Sequence, residues 1–371
     1  MSEGDVAALG RLVLWAAFGL AVLFGAIAQR THFCTMGAVS DIVTMGDWSR
    51  MRMWVLAMGV AMLGFNTMVA LGWLDAGRTL YGGPRLIWLS AAVGGLMFGF
   101  GMVLASGCGS KTLVRIGGGN LKSLVVFVVL GLVAFATLRG IVAVVRVATV
   151  DAAALTLANG QDLPTLVAGA TGVSRATLAL VLGGGLGLGL IGWALARPEG
   201  RSADGLLGGL GIGALVAALW WVSGRLGHVA EDPRTLEEAF VATNSGRMES
   251  FTFVAPAAFT LDWLMFFSDT SKLLTIAIVT TLGVVVGSAL VALLTKSFRW
   301  EGFRGTRDTA QHVAGAALMG VGGVTAMGCT IGQGLSGLST LSLSSFVAVA
   351  GIVAGAWVAL RWQQRLIEQD A

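Results

Sequence analysis

The chain has 371 residues, of which 56% are hydrophobic and only 12% charged, with a mean hydropathy of +0.82 and a formal net charge of +4. Such a composition excludes a soluble domain and places the chain in lipid. The small positive excess calls for no nucleic-acid partner, because loop arginines that set membrane orientation account for it.

Stretches of about 18 to 25 apolar residues, long enough to cross a hydrocarbon core of about 30 Å, recur along the whole sequence. Nine full crossings are expected, at about 12–28, 52–74, 87–107, 121–148, 176–196, 203–226, 272–296, 309–328 and 343–361. Two further apolar pieces, near 34–46 and 251–267, are too short or too broken to span and read as inward-dipping segments. The first run carries acidic Glu3 and Asp5 with only Arg11 ahead of it and has no small-residue cleavage pattern, so it reads as a retained helix and not a signal peptide. Glycine, at 55 residues, suits close helix contacts in a membrane. Tryptophans at the ends of runs, among them Trp54, Trp73, Trp88, Trp220, Trp221 and Trp362, suit the interface.

Loop charge sets the expected orientation. One side holds 14 of the 24 Lys and Arg residues, including Arg30, Arg50, Arg52, Lys111, Arg115, Lys122, Arg299 and Arg304. By the positive-inside rule that side is cytoplasmic, with the N-terminus outside and the C-terminus inside.

An internal repeat organises the rest. At an offset of 221 residues, Gly94, Gly99, Gly101, Ala105, Gly107 and Cys108 fall on Gly315, Gly320, Gly322, Ala326, Gly328 and Cys329, and Asp41 falls on Asp262. With a one-residue slip, Asp47 to Arg50 falls on Asp269 to Lys272. The expected fold is a single all-α polytopic membrane domain over 1–371, with a first repeat unit at 12–148, a connecting transmembrane helix at 176–196 and a second unit at 203–361. The odd connecting crossing turns the second unit over, as in transporters whose sites lie at broken helices between inverted repeats.

The only three cysteines, Cys34, Cys108 and Cys329, each lie where an apolar run breaks at a glycine-containing turn. Backbone that leaves the helix inside a bilayer is tolerated only where it is buried in protein or lines a cavity. Gly107, Gly109 and Gly328 make such turns plausible, and a short helix starting after Cys108 would aim free N–H groups at an anion. Ser110, Thr330 and Gln333 offer further donors, Lys111 and Arg115 a positive face, and thiols weak contacts that bind and release. A single membrane cysteine is ordinarily a small buried hydrophobe; three at breaks, two of them repeat-related, favour function. The odd count argues against a disulfide framework, and His32, His228 and His312 form no zinc-spaced pair with a cysteine. Asp41 and Asp262 are expected to cap or pair at the breaks, Arg139 and Arg146 to snorkel, and Glu231 to Glu249 to form a solvated outer loop. No nucleophilic enzyme constellation or P-loop is present, and no cofactor or metal is expected.

The stretch Gln29-Arg30-Thr31-His32-Phe33-Cys34-Thr35-Met36-Gly37-Ala38-Val39-Ser40-Asp41, then Ala105-Ser106-Gly107-Cys108, then Met327-Gly328-Cys329-Thr330-Ile331-Gly332, resembles the YeeE/YedE family of sulfur-compound transporters. The resemblance implies an hourglass-shaped protein of nine crossings in the cell inner membrane that imports thiosulfate. It further implies that Cys329 meets the anion first, Cys108 guards the constriction and Cys34 receives it on the cytoplasmic side. The expected partners are thiosulfate or a related sulfur anion, the lipid bilayer, and a cytoplasmic sulfur-carrier or sulfurtransferase protein. Two alternatives stay open: a membrane thiol protein that senses or covalently processes sulfur species, and a transporter of another sulfur or selenium compound.

Overall fold

In the computed structural model, which describes residues 2–370, helices account for most of the chain. The first is α1 (Glu3–Thr31), opened by a capping box: Ser2 Oγ accepts from the Asp5 N–H at 3.2 Å and the Asp5 carboxylate accepts from the Ser2 N–H at 2.9 Å. Short α2 (Thr35–Met45) and long α3 (Ser49–Ala70) follow. After an irregular loop come α4 (Trp88–Leu104), α5 (Gly109–Gly117), α6 (Leu121–Arg139) and α7 (Ile141–Ala148). A second long loop leads to α8 (Leu163–Thr171), α9 (Arg175–Leu178) and, through a π-helical turn, α10 (Gly184–Leu195). The remaining helices are α11 (Ala203–Trp221), α12 (Ala255–Met265), α13 (Ile276–Leu294), α14 (Thr306–Thr325) and α15 (Leu343–Asp370). Two antiparallel ribbons tie loops together: Arg85–Leu86 pairs with Leu155–Thr156, and His228–Val229 with Ala239–Phe240.

Eight helical stretches among the described residues are long and apolar enough to cross a membrane. The ninth expected crossing, near 309–328, corresponds to α14, which is not among the eight because its first turns carry Arg307, Asp308, Gln311 and His312. The expected crossing at 121–148 is also shorter. Gly140, with φ −99° and ψ −159°, leaves the helix after Arg139, so α7 forms a separate helix with Ile141, Val144 and Val145 exposed. Glycine is so common in these spans that its presence alone does not mark a break.

Packing is reciprocal. Helix α1 lies on α13 and α11 on α3, while α4 lies on α15 and α14 on α6, with α4 and α14 crossing each other. Lipid offers no hydrophobic drive for helix association, so close backbone approach and van der Waals contact must supply it. Glycine permits that approach. A Cβ on Gly25 of α1 would fall on the Val284 carbonyl of α13, and one on Gly99 of α4 on the Ile352 carbonyl of α15. At the α4–α14 crossing, a Cβ on Gly94 would lie 2.7 Å from the Gly322 oxygen, and one on Gly315 would lie 2.6 Å from the Gly101 oxygen.

Candidate functional site

All three cysteines occupy the same local structure. A helix ends, the residue two before the cysteine turns left-handed, and the cysteine itself is the N-cap of the next helix. Those left-handed residues are His32 (φ 53°), Ser106 (φ 55°) and Met327 (φ 58°), three of the seven non-glycine residues with positive φ in the described chain. Each turn closes with the hydrogen bond of a Schellman motif: Phe33 N–H to Ala28 O at 3.2 Å, Gly107 N–H to Met102 O at 2.8 Å, and Gly328 N–H to Gly323 O at 2.7 Å. Holding a residue with a side chain in this region costs about 1 kcal/mol or more. That strain is met three times, each time next to a thiol.

The thiols are free and buried. Cys34 Sγ accepts from the Gly37 N–H at 3.4 Å and Cys329 Sγ from the Gly332 N–H at 3.4 Å, whereas Cys108 Sγ lies 3.3 Å from Ser110 Oγ. Cys34 and Cys108 face each other, and the Thr330 hydroxyl faces Cys108 without forming a well-aligned hydrogen bond. Gly109 gives passage to Phe253, whose Cβ would be 3.4 Å from an added Cβ, and the Phe253 N–H points at Cys329. Phe253 in turn packs with Phe24 and Phe251, so an aromatic cluster lies beside Gly109 and Cys329. Gln333 is a brace: its Nε2 donates to the Ala326 carbonyl and its Oε1 accepts from Ser345 Oγ at 2.6 Å. Gly328 leaves room for it, since an added Cβ would lie 3.2 Å from Gln333 Cγ. Arg115 serves the same purpose at the Cys108 turn, donating to the Ser106 carbonyl at 2.7 Å.

Two cavities approach these turns from opposite ends of the bundle. One, of about 380 Å³, is lined by Tyr81, Glu249, Thr252, Met327 and Gly328, and so reaches the Cys329 turn. The other, of about 580 Å³, is lined by His32, Ser106, Lys111 and Arg115, and so reaches the Cys34 and Cys108 turns. Helices α4, α6 and α14 each run from one cavity to the other. The larger cavity is basic: Lys111, Arg115, Lys122, Arg299 and Arg304 outnumber Glu301 and Asp308. Lys122 is paired with Asp308 at 2.8 Å, while the ammonium group of Lys111, whose stem lies along Gly107, has no hydrogen bond or ion pair among the described residues.

A family profile described as Sulphur transport matches residues 30–358, which contain all three cysteine turns. The chain belongs to the sulphur transport (YeeE/YedE) family. It is 26% identical over 345 residues to the thiosulfate transporter TsuA of Escherichia coli strain K12, covering 91% of each chain. It is 25% identical over 357 residues to the thiosulfate transporter TsuA of Spirochaeta thermophila, covering 93% of this chain and 97% of that one. The probable transporter YedE of Salmonella typhimurium strain LT2 is 34% identical over 101 residues, 26% of this chain and 23% of its own length.

In this member of the sulphur transport family, several residues near the site were not marked by sequence. Arg50 lies over Gly37, where an added Cβ would be 2.6 Å from a guanidinium nitrogen, beside Cys34. It also pairs with Asp41 at 3.2 Å, and the equivalent Lys272 pairs with Asp262 at 2.6 Å. Tyr81, the only tyrosine, brings its hydroxyl to 3.3 Å from where a Cβ on Gly332 would stand. Its singularity in the composition was the one available signal.

Glu249 departs from the expected solvated loop. It is buried, and its Oε1 accepts from the Asn244 N–H at 3.1 Å, the Ser245 N–H at 2.9 Å and Ser245 Oγ at 2.6 Å. Burial pushes its carboxyl above the usual range, against the downward pull of those hydrogen bonds. A carboxyl raised on folding stabilises most at low pH and loses that contribution as pH climbs through its folded value. The wild-type unfolding midpoint should therefore fall over that interval. Glu249→Gln should flatten the fall and unfold above wild type at neutral pH; fluorimetric melting across a pH series checks this, and a lower, equally pH-dependent midpoint would contradict it.

Proposed function

We propose that this sulphur transport family member is a transporter, not an enzyme, that imports a small sulfur oxyanion, thiosulfate first, across the cell inner membrane. The observation that carries the reading is the pair of cavities, one reaching the Cys329 turn and the other the Cys34 and Cys108 turns. The names of the two long matches favour thiosulfate. Cys329 receives the anion from outside, Cys108 passes it, and Cys34 delivers it to the basic cavity, where a cytoplasmic sulfur-carrier or sulfurtransferase protein would collect it. Weak S–H contacts suit a path that must both bind and release. Glycine-made space at Gly107, Gly109 and Gly328, with the Ser110 and Thr330 hydroxyls beside the sulfurs, completes the lining, and Gln333 holds the outer turn in shape.

The orientation with the N-terminus outside rests on loop charge, which puts the basic cavity in the cytoplasm. Inverted repeats account for the reciprocal packing: exchanging Gly94 for Gly315 and Gly322 for Gly101 turns one α4–α14 contact into the other. The repeat-related ion pairs Asp41–Arg50 and Asp262–Lys272 follow the same exchange.

Uptake of labelled thiosulfate into vesicles holding the purified protein tests the proposal. Accumulation above protein-free vesicles supports it; a covalent sulfur adduct without any accumulation would favour a sensing or processing protein. Lys111 supplies a further expectation. Lys111→Gln should lower uptake about tenfold, and Lys111→Arg should restore most of it, because the positive charge and not the side-chain shape attracts the anion. Equal uptake by wild type and Lys111→Gln would remove Lys111 from the path.

A further inference from the structure

Three carboxylates are buried in the described chain: Asp41, Asp162 and Glu249. Asp41 has Arg50 at 3.2 Å, and Glu249 accepts three hydrogen bonds. The Asp162 carboxylate has no ion-pair partner and a single hydrogen bond among the described residues. It is 1% exposed and caps α8, with Oδ2 accepting from the Thr165 N–H at 2.9 Å, but Oδ1 is buried with no hydrogen bond from the protein. That oxygen borders a slot created by Gly160. A Cβ at Gly160 would lie 3.2 Å from Asp162 Oδ1 and 3.3 Å from the carbonyl oxygen of Gly82. One charged and one neutral oxygen thus converge on space that any other residue would fill.

A buried carboxylate without a counter-charge is strongly unfavourable. The N-terminus of α8 supplies roughly half a charge, and its N–H serves Oδ2. The adjoining cavity of about 230 Å³ is lined by Asn66, Asp75 and Arg175 as well as Asp162. Asp75 is taken by Arg78 at 3.7 Å and by the Gly77 N–H at 2.9 Å. Arg175 is exposed and forms no ion pair with Asp162 among the described residues.

We infer that Asp162 Oδ1 and the Gly82 carbonyl bind a monovalent cation of sodium's class at the Gly160 slot. Carbonyl oxygens of irregular backbone coordinate sodium in transporters, and here Asp162 sets an unpaired carboxylate oxygen beside one such carbonyl. Calcium takes six to eight oxygens, commonly from several carboxylates, and no group of three His, Cys, Asp or Glu side chains suited to a metal occurs in the described chain. The ion acts as a latch. Residues 160–163 are stitched to the segment after the Cys329 helix by Leu163 N–H to Leu341 O at 3.1 Å and Leu343 N–H to Gln161 O at 3.0 Å. Ser342 Oγ in turn donates to the Tyr81 carbonyl at 3.0 Å. A cation bridging Asp162 and Gly82 fastens these three segments together, and Tyr81 of one of them lines the Cys329-side cavity.

The test is thermal unfolding of the purified full chain in sodium, potassium and choline chloride at equal ionic strength. Sodium should raise the wild-type midpoint over choline by about 3 °C and leave that of Asp162→Asn unchanged. Asparagine keeps the helix cap and removes the charge. A midpoint indifferent to the cation, an equal rise in Asp162→Asn, or a response to pH without one to sodium would each overturn the site. Should Asp162→Asn fail to fold, hydrogen exchange of the wild-type 160–165 amides decides: slower exchange in sodium than in choline supports the latch, and equal exchange refutes it. Neither readout involves transport, so the result stands apart from the import reading.

Discussion

Cys108→Ala should reduce the initial rate of thiosulfate uptake by about a hundredfold or more, equivalent to about 2.7 kcal/mol on the limiting step. Its sulfur is fully buried, faces Cys34 on one side and the Thr330 hydroxyl on another, and touches Ser110 Oγ at 3.3 Å. Phe253, packed with Phe24 and Phe251, lies against Gly109, the residue that follows Cys108. The substitution removes one sulfur and leaves a void smaller than a lost Leu side chain, so the fold should lose only about 1 kcal/mol. A near-normal melting profile with uptake lost separates function from folding. Cys108→Ser, which keeps a donor but shortens the reach, should stay well below wild type. Uptake by Cys108→Ala within twofold of wild type would end the relay reading.

Gly315→Val should cost about 3 kcal/mol or more of stability and abolish uptake with it. The added Cβ would lie 2.6 Å from both the Gly101 oxygen and the Ala105 N–H nitrogen, atoms of α4 that have no freedom to retreat. Relief requires α4 and α14 to separate. Those helices end at Leu104 and Thr325, with Ala105 and Ala326 as C-caps leading into the Cys108 and Cys329 turns, so separation moves the two thiols apart. Gly192→Ala on α10 is the control. Its added methyl meets nothing within 4 Å and should be neutral or stabilising by about 0.5 to 1 kcal/mol, the helix preference of alanine over glycine. Melting of both variants in one detergent checks the pair; a wild-type midpoint for Gly315→Val would show that the crossing tolerates a wider spacing.

The long apolar helices, the two short helices Thr35–Met45 and Ala255–Met265 and the placing of all three cysteines at breaks were legible because lipid imposes a simple rule on length and polarity. The end of α6 at Gly140 was not legible, since a glycine in a chain holding 55 of them carries little local information. Nor was the brace formed by Gln333, which reads in sequence as a free donor but spends both ends of its amide on Ala326 and Ser345. Asp41 and Asp262 stood out by their repeat relation, yet both are ion-paired, while the uncompensated Asp162 gave no sequence signal because its isolation depends on Gly82.

What the sequence determined by itself was the solvent and the chemistry: a chain that must satisfy its backbone within helices, and three thiols where it fails to do so. Cys34 has Ala255 at its repeat position, so by sequence it stands alone. The tertiary structure decided otherwise about its shape, giving His32, Ser106 and Met327 one left-handed conformation and placing all three cysteines just before a helix, where Cys34 and Cys329 accept a backbone N–H and Cys108 faces Ser110. A backbone conformation fixed by helix ends meeting at close-packed crossings depends on partners more than 200 residues away, as Gly94 and Gly322 do. Local residue identity cannot encode it.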